Sequence, residues 1–122
     1  MKCLFCSLVN KEMPVQVVYE DSHSLAFLDI NPRSPKHTLV IPKIHSETIL
    51  DLPESEREPF WGAVVAVEKL LLESIHPNGF TLGINQWKAA GQEVDHLHMH
   101  IIPRFLDDGG GPVQMIVNNP KN

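Results

Sequence analysis

Apolar and polar residues along the chain follow two different periods, and these predict strands around one long helix. Five short apolar runs are separated by turn-forming or proline-containing segments, as expected for β-strands, and the first two runs suit a hairpin. Between Glu54 and Ile75 the apolar residues recur at helical spacing, which predicts one long amphipathic helix. The strands are predicted at residues 15–19, 24–30, 37–42, 80–85 and 95–103.

The order of these elements is strands, helix, strands, which predicts an α+β fold with a mostly antiparallel five-stranded sheet. Residues 31–37 carry two prolines and are predicted to be a loop. The segment 76–79 is predicted to end the helix, and 107–112 to form a flexible turn.

The fifth strand contains the segment HLHMHII, in which His96, His98 and His100 occupy every second position. In a strand these three side chains share one face, and the apolar residues between them share the other, which we expect to pack under the helix. Three imidazoles on one face are costly to bury, so a purely structural role is disfavoured. Two functions remain open at this point: a metal site, and a nucleophilic site for phosphoryl transfer.

Composition and charge narrow the protein class. The chain has 122 residues, 43% of them hydrophobic and 20% charged, which suits one globular domain. Its net charge of −5 argues against binding a nucleic acid polymer. We expect no membrane segment and no secretory signal, and hence a cytoplasmic protein. In that reducing compartment a metal role for Cys3 and Cys6 is more plausible than a disulfide.

Three blocks of the sequence resemble the histidine triad superfamily of nucleotide hydrolases and transferases. They are CLFCSLVNKEMP (3–14), FLDINPRSPKHTLVIPKIH (27–45) and INQWKAAGQEVDHLHMHIIPR (84–104), the last of which includes the row of three histidines. The resemblance implies a domain at 1–105. It leaves a C-terminal tail at 106–122 unassigned, and we expect that tail to belong to the dimer or to the rim of the active site. The resemblance also implies one short helix beside the long one, and a sheet extended by homodimerisation.

The same resemblance implies a covalent mechanism at the middle histidine. His98 would attack the α-phosphorus and form a nucleotidyl-histidine, and a neutral imidazole is a suitable nucleophile near pH 7. His100 would donate toward phosphate oxygens. His37 or main-chain carbonyls are expected to fix the tautomer of His98, and His96 completes the expected catalytic set.

Further positions match substrate-binding residues of the family. Asp29 matches an acidic residue that binds ribose hydroxyls, although capping of a turn is the alternative. Asn85 and Gln92 match polar groups near the phosphate and the leaving group, although Asn85 also suits a turn at a strand end. Apolar side chains from the first elements are expected to contact a nucleoside base, with ordinary core packing as the alternative. They are Phe5, Leu8, Phe27 and Ile30.

The resemblance also implies a structural zinc ion. Cys3 and Cys6 form only half a metal site, and the zinc-bearing branches of the family supply the other half from His45 and His96. Such a closed Cys2His2 set is structural rather than catalytic. The alternative is two buried free thiols.

Two positions depart from the family pattern. Several branches have Ser or Thr three residues before the first histidine of the row, where this chain has Glu93, whose carboxylate would repel phosphate. Trp87 and Lys88 stand where many relatives have small or flexible residues. Trp87 suits stacking on a leaving-group base or packing on its own domain, and Lys88 suits contact with a phosphate.

The sequence therefore predicts a hydrolase of nucleotide phosphoramidates or dinucleoside polyphosphates, with a purine nucleotide as substrate and no organic cofactor. Two alternatives stay open. One is a zinc-dependent hydrolase that uses the histidine row as metal ligands. The other is a nucleotide-binding regulatory protein with little turnover.

Overall fold

The computed structural model describes residues 3–120 and contains one five-stranded sheet and two α-helices. The predicted domain (1–105) begins outside this range and the predicted tail (106–122) ends outside it. The boundary between them stays a prediction. The short helix α1 covers Leu4–Val9 and the long helix α2 covers Glu54–Ile75. The strands are β1 (Val17–Glu20), β2 (Ser24–Leu28), β3 (Thr38–Pro42), β4 (Gly79–Gly83) and β5 (Met99–Arg104).

All neighbouring strands are antiparallel, in the order β1-β2-β3-β5-β4. This confirms the predicted α+β class with one long and one short helix. Strand β5 therefore lies between β3 and β4, with His100 opposite Leu39 on one side and Gly83 on the other.

The predicted fifth strand is too long at its first end. Strand β5 begins at Met99 rather than at residue 95, so His96 and His98 precede it. The cause is a bend at residues 94–96, where the His96 N–H donates to the Val94 carbonyl at 2.8 Å. The next N–H, that of Leu97, donates to the Ser46 carbonyl at 2.6 Å, so a loop rather than a strand holds this segment.

The long helix packs on one face of the sheet. Its buried face includes Phe60, Val64 and Val67, and the same cluster contains Leu97, Met99 and Ile101, as the alternation of the histidine row predicts. The helix ends at Ile75 because His76 adopts the left-handed conformation, at φ 50°.

The short helix covers the opposite face of the sheet. Cys3 is its N-cap, and the Cys3 sulfur accepts the Cys6 N–H at 3.4 Å. Phe5 and Leu8 project into a second buried cluster with side chains of β2 and β3. The odd-numbered residues of β2 belong to this cluster and Ala26 to the other, as expected for successive residues of a strand.

The segment after β5 folds back toward the sheet. Arg104 donates from Nε and Nη2 to the two carboxylate oxygens of Asp108, at 2.7 and 3.0 Å. Its Nη1 donates to the Thr81 hydroxyl at 3.0 Å and to the Gly111 carbonyl at 2.8 Å. A 3-10 helix follows at Val113–Ile116. Among residues 3–120 no helix is both long and apolar enough to cross a membrane.

Candidate active site

The ring of His98 is held in one tautomer by the main chain. Its Nδ1 lies 2.7 Å from the His96 carbonyl oxygen, which only accepts, so Nδ1 carries the proton. The neutral ring therefore has its lone pair on Nε2. The side chain is 6% exposed, and the edge-to-face ring of Phe5 packs on it with centroids 5.1 Å apart. This arrangement leaves a fixed imidazole with one nucleophilic nitrogen.

His37 and His100 form a second fixed pair. The Arg33 main-chain N–H donates to His37 Nδ1 at 3.1 Å, so the proton of the neutral His37 ring is on Nε2. That Nε2–H donates to His100 Nδ1 at 3.0 Å. His100 consequently carries its own proton on Nε2, which makes this atom a hydrogen-bond donor. The chain of donors runs from a peptide group to the ring beside His98, with 5.2 Å between the His98 and His100 centroids.

Electrostatics favours neutral rings in this pair. Burial, together with the neighbouring His98 and His37, lowers the pKa of His100 to about 4, against the opposing effect of Asp29. Burial also lowers the pKa of His37, against the opposing effect of the Asp29 carboxylate and with the help of Arg33. Near pH 7 both rings are therefore neutral, as the hydrogen-bond directions require.

Asp29 caps a turn with one carboxylate oxygen and places the other beside His37. Its Oδ1 accepts the Asn31 N–H at 2.9 Å and so caps the turn after β2. Its Oδ2 lies 3.6 Å from His37 Nε2. Asp29, His37 and His100 together form what we call the aspartate cluster, with one ligand-type atom from each residue and all three within 4.8 Å of one another.

A cleft of about 710 Å³ opens beside His37 and His100. Asn85, Arg33 and Ser34 line it as well, which brings the predicted Asn85 to the same cleft as the histidines. The other wall is the segment 108–113, together with Met115 and Ile116, held in place by the contacts of Arg104. The first part of the tail thus lines the cleft.

Gln92 holds the loop before the histidine row. Its Oε1 accepts the Trp87 N–H at 2.6 Å, and its Nε2 donates to the carbonyls of Glu47 and Val94 at 2.8 and 3.1 Å. Both amide hydrogens and one lone pair of the oxygen are thus paired with main-chain groups. The loop it holds includes Trp87 in a positive-φ conformation (φ 69°), with the indole 54% exposed. Glu93 is exposed.

The apolar residues expected to contact a base do not all lie together. Phe5, Leu8 and Phe27 are buried in the cluster under α1, where Phe5 and Phe27 pack edge to face at 5.4 Å. Ile30 is at the surface, 88% exposed. Core packing therefore accounts for the first three, and Phe5 additionally touches His98.

The four predicted metal ligands converge in what we call the cysteine cluster, formed by Cys3, Cys6, His45 and His96. His96 Nδ1 lies 3.4 Å from Cys3 Sγ and 3.6 Å from Cys6 Sγ, and His45 Nδ1 lies 3.3 Å from Cys6 Sγ. In tetrahedral zinc sites, bond lengths of about 2.3 Å to sulfur and about 2.0 Å to nitrogen put neighbouring S and N ligands roughly 3.6 Å apart. The spacing therefore fits zinc.

The protonation of His96 also fits a metal. Its Nε2 donates to the Pro42 carbonyl at 2.8 Å, so the Nδ1 that faces the sulfurs has a free lone pair. Burial lowers the pKa of His96 to about 4, which keeps the ring neutral. Desolvation and the neighbouring Cys3 raise the pKa of Cys6 to about 11. A zinc ion would supply the charge that stabilises both thiolates.

Two features of the site have no sequence signal. The Arg33 N–H that orients His37 is a main-chain group, available from every residue except proline. The bend before β5 depends on the Ser46 carbonyl, which is 51 positions away from the N–H that it accepts.

Comparison with known sequences gives one family. The model of the HIT domain matches residues 10–107 of the chain. A HIT-like protein of Methanocaldococcus jannaschii is 47% identical over 107 residues, which cover 88% of this chain and 82% of that protein. The adenosine 5'-monophosphoramidase of Saccharomyces cerevisiae is 35% identical over 108 residues, which cover 88% of this chain and 66% of that enzyme.

Solved structures agree with the sequence matches. A HIT family protein of Bacillus subtilis superposes with a TM-score of 0.87 at 39% identity, covering 93% of this chain and 81% of that one. A Zn-bound histidine triad family protein of Mycobacterium smegmatis superposes with a TM-score of 0.83 at 36% identity, covering 89% and 79%.

Proposed function

The chain belongs to the HIT family, and from this premise we propose that it hydrolyses nucleotide phosphoramidates or dinucleoside polyphosphates through a covalent intermediate on His98. A relative named adenosine 5'-monophosphoramidase supports a hydrolase in general. The observation that carries the finer proposal is the hydrogen bond from His98 Nδ1 to the His96 carbonyl, because it leaves Nε2 as the nucleophile.

In the first step His98 Nε2 attacks the α-phosphorus, and a P–N bond forms while the bond from phosphorus to the leaving group breaks. The leaving amine or phosphate departs and takes a proton from solvent where it needs one. His100, with its proton on Nε2, donates to a phosphoryl oxygen and stabilises the charge that develops there.

In the second step water attacks the same phosphorus and the P–N bond to His98 breaks. The nucleoside monophosphate leaves, the proton of the water goes to solvent, and His98 regains its neutral form with Nδ1–H. Because the His96 carbonyl holds that proton throughout, the ring keeps one orientation through both steps.

The substrate contacts that we propose lie at the aspartate cluster and in the cleft. Asp29 Oδ2, which is 3.6 Å from His37 Nε2, is the acceptor for ribose hydroxyls, and Asn85, which lines the cleft with His100, is the polar group beside the phosphate. Both amide hydrogens of Gln92 are paired with main-chain carbonyls, so its main contribution is to hold the loop that borders the leaving group. We further propose a purine base, a cytoplasmic enzyme, and a homodimer that covers exposed apolar residues of α2 such as Trp61 and Val65.

The cysteine cluster is the proposed zinc site. When bound, zinc would join α1 to the segment that precedes β5, and its role is structural. Cys3 and Cys6 anchor the N-terminal helix, and His96 orients the carbonyl that fixes His98. No step of the reaction involves these ligands directly.

The alternative of a metal bound by the histidine row has less support. Among the described residues, His96 belongs to the cysteine cluster, His100 belongs to the aspartate cluster, and His98 belongs to neither. A regulatory protein with little turnover is separated from an enzyme by the experiment below.

The test is mass spectrometry of the protein quenched during turnover of an adenosine phosphoramidate. We expect the added mass of one nucleotidyl group, that is, a nucleoside monophosphate less one water, on the peptide that contains His98. A metal-activated water would give turnover without an adduct, and a binding protein would give no turnover. The variant His23→Ala, at an exposed histidine that pairs with Glu56, is the control and should keep the adduct.

A further inference from the structure

The aspartate cluster has the spacing of a metal site. His37 Nε2 lies 3.0 Å from His100 Nδ1 and 3.6 Å from Asp29 Oδ2. Two nitrogen or oxygen ligands of a tetrahedral zinc ion, each about 2.0 Å from the metal, lie roughly 3.3 Å apart. Two histidines and a carboxylate beside an open cleft also match the ligand number of a catalytic metal centre. Spacing and ligand type alone therefore do not exclude zinc from this cluster.

The position of the proton on His37 excludes zinc from the aspartate cluster. Arg33 N–H is a fixed donor and occupies the lone pair of His37 Nδ1 at 3.1 Å. The single proton of the neutral ring is consequently on Nε2, the atom that a metal would need. To bind zinc there, the proton must move to Nδ1, where it meets the Arg33 N–H. His37 is only 3% exposed, so solvent does not relieve two opposed donors.

The cysteine cluster has the opposite arrangement. His96 donates from its outer nitrogen, Nε2, to the Pro42 carbonyl, and so presents a free lone pair to the two sulfurs. Metal-binding histidines in proteins commonly donate their other N–H to a carbonyl or carboxylate in this way. One main-chain acceptor and one main-chain donor thus distinguish the two clusters.

We propose that the main-chain N–H of Arg33 keeps zinc out of the aspartate cluster by holding the His37 proton on Nε2. This leaves zinc to the cysteine cluster and keeps His100 free as a proton-bearing donor in the cleft. Arg33 acts here as a positioning residue through its peptide group, and its side chain is not required. The proposal concerns metal binding and does not depend on the proposed reaction.

The test exchanges one atom. The α-hydroxy acid analogue of arginine at position 33 replaces the N–H by an ester oxygen and keeps the side chain. The ester oxygen accepts weakly and donates nothing, so the proton of His37 is free to move to Nδ1. We expect the ester protein to bind one more zinc per chain than wild type, with about 10- to 100-fold tighter binding at this cluster. Nitrogen-15 shifts of the His37 ring should change from Nε2–H to Nδ1–H.

The matched control is Arg33→Lys, which replaces the guanidinium and keeps both the positive charge near His37 and the N–H. It should bind as many zinc ions as wild type. Adding Asp29→Asn to the ester protein should remove the extra zinc, since one of the three ligands is weakened. Because the readout is a difference in zinc number, it is independent of whether the cysteine cluster binds zinc.

The wild-type protein supplies a second measurement should the ester protein fail to fold. Excess zinc should leave the ring shifts of His37 and His100 unchanged, and His37 should show Nε2–H. Wild-type His37 with its proton on Nδ1, zinc-dependent shifts in both rings, or equal zinc numbers in wild type and ester protein would each overturn the proposal.

Discussion

The cysteine cluster and the aspartate cluster each contain two histidines, and each takes one of them from the row that contains His98. Two cysteines complete the first cluster, and Asp29 completes the second. They also differ in the main-chain group that hydrogen-bonds to the outer nitrogen of one histidine, the ring nitrogen that faces away from the cluster. In the cysteine cluster the outer nitrogen of His96 meets a carbonyl, and in the aspartate cluster the outer nitrogen of His37 meets an N–H. The first arrangement presents a lone pair to the cluster and the second presents a proton.

The identity of the ligands therefore does not decide whether a histidine binds a metal or donates a hydrogen bond. A peptide group outside the cluster sets the tautomer, and the tautomer sets whether the ring binds a cation or donates a proton. His98 follows the same rule, because the His96 carbonyl fixes its proton on Nδ1. Three main-chain groups therefore set the tautomers of His37, His96 and His98. They are the Arg33 N–H, the Pro42 carbonyl and the His96 carbonyl.

The largest expected effect is at His98, which the comparison assigns to neither cluster. His98→Ala should lower turnover of an adenosine phosphoramidate by at least about 1000-fold, because the covalent path is lost. Affinity for the nucleoside monophosphate should stay within about tenfold, since the ring acts mainly in the transition state. Steady-state kinetics and calorimetric titration measure the two quantities. A variant that keeps a substantial part of the wild-type rate would exclude His98 as the nucleophile.

Removal of metal should have the next largest effect, and we expect it to act on the cysteine cluster and not on the aspartate cluster. If the cysteine cluster binds zinc, the purified protein carries about one zinc per chain, and chelation lowers stability because binding to the folded state is lost. A ligand at about 1000 times its Kd adds roughly 4 kcal/mol, so we expect the unfolding midpoint to fall by roughly 10 °C or more. Some activity should survive at low temperature, since His98 and His100 remain in place.

The double variant Cys3→Ser with Cys6→Ser should reproduce chelation in both zinc content and stability. Metal content and residual activity measured on the same samples decide the matter. Loss of all activity on chelation, with zinc content unchanged in the cysteine variant, would place a catalytic metal elsewhere.

Periodicity predicted most of the fold because it depends on local order. The helix Glu54–Ile75 has the predicted bounds, and the burial of Leu97, Met99 and Ile101 follows from alternation. The start of β5 was wrong by four residues because the bend at residues 94–96 depends on the distant Ser46 carbonyl. No residue type or spacing in the sequence indicates that contact.

The candidate site was predictable in its side chains and not in its main-chain partners. The cysteine cluster was assembled from the family resemblance, and the structure brings its four residues together. The sequence left open which group fixes the tautomer of His98, and the geometry assigns the His96 carbonyl. The arrangement around His37 was not foreseen, because a peptide N–H has no residue type to recognise.

Substitutions at His37 test whether the aspartate cluster contributes to catalysis. His37→Ala removes the donor to His100 Nδ1 and frees the tautomer of that ring, so we expect kcat to fall about 10- to 100-fold with little change in KM. His37→Gln retains an amide oxygen for the Arg33 N–H and an NH2 group for His100, so it should recover part of the loss. Equal losses in the two variants would assign His37 to packing alone.

Acid should act on the aspartate cluster in a defined direction. The pKa of His100 is lowered from the ordinary 6.5 to about 4, so the unfolded chain binds the proton first as pH falls. Its contribution to stability is complete above pH 6.5, decreases between 6.5 and 4, and levels off below. His100→Asn should therefore flatten the decline in the free energy of unfolding, measured by urea denaturation, by up to roughly 1.4 kcal/mol per pH unit. His76→Asn at the exposed helix cap is the control, and an identical flattening there would contradict the assignment.

The smallest expected effect is at Glu93, the exposed carboxylate three residues before His96. If its charge opposes phosphate in the leaving group, Glu93→Ser should raise kcat/KM for a dinucleoside polyphosphate by a few-fold, on the order of 1 kcal/mol for one exposed charge. The rate for a phosphoramidate with a neutral amine should change less, because that leaving group brings no added negative charge. Exposed Glu73 on α2 supplies the matched variant Glu73→Ser, which should alter neither substrate. Raising the ionic strength should reduce the advantage of Glu93→Ser, since salt screens an exposed charge. A similar gain on both substrates, or a gain that salt leaves unchanged, would mean that Glu93 acts through the loop and not through its charge.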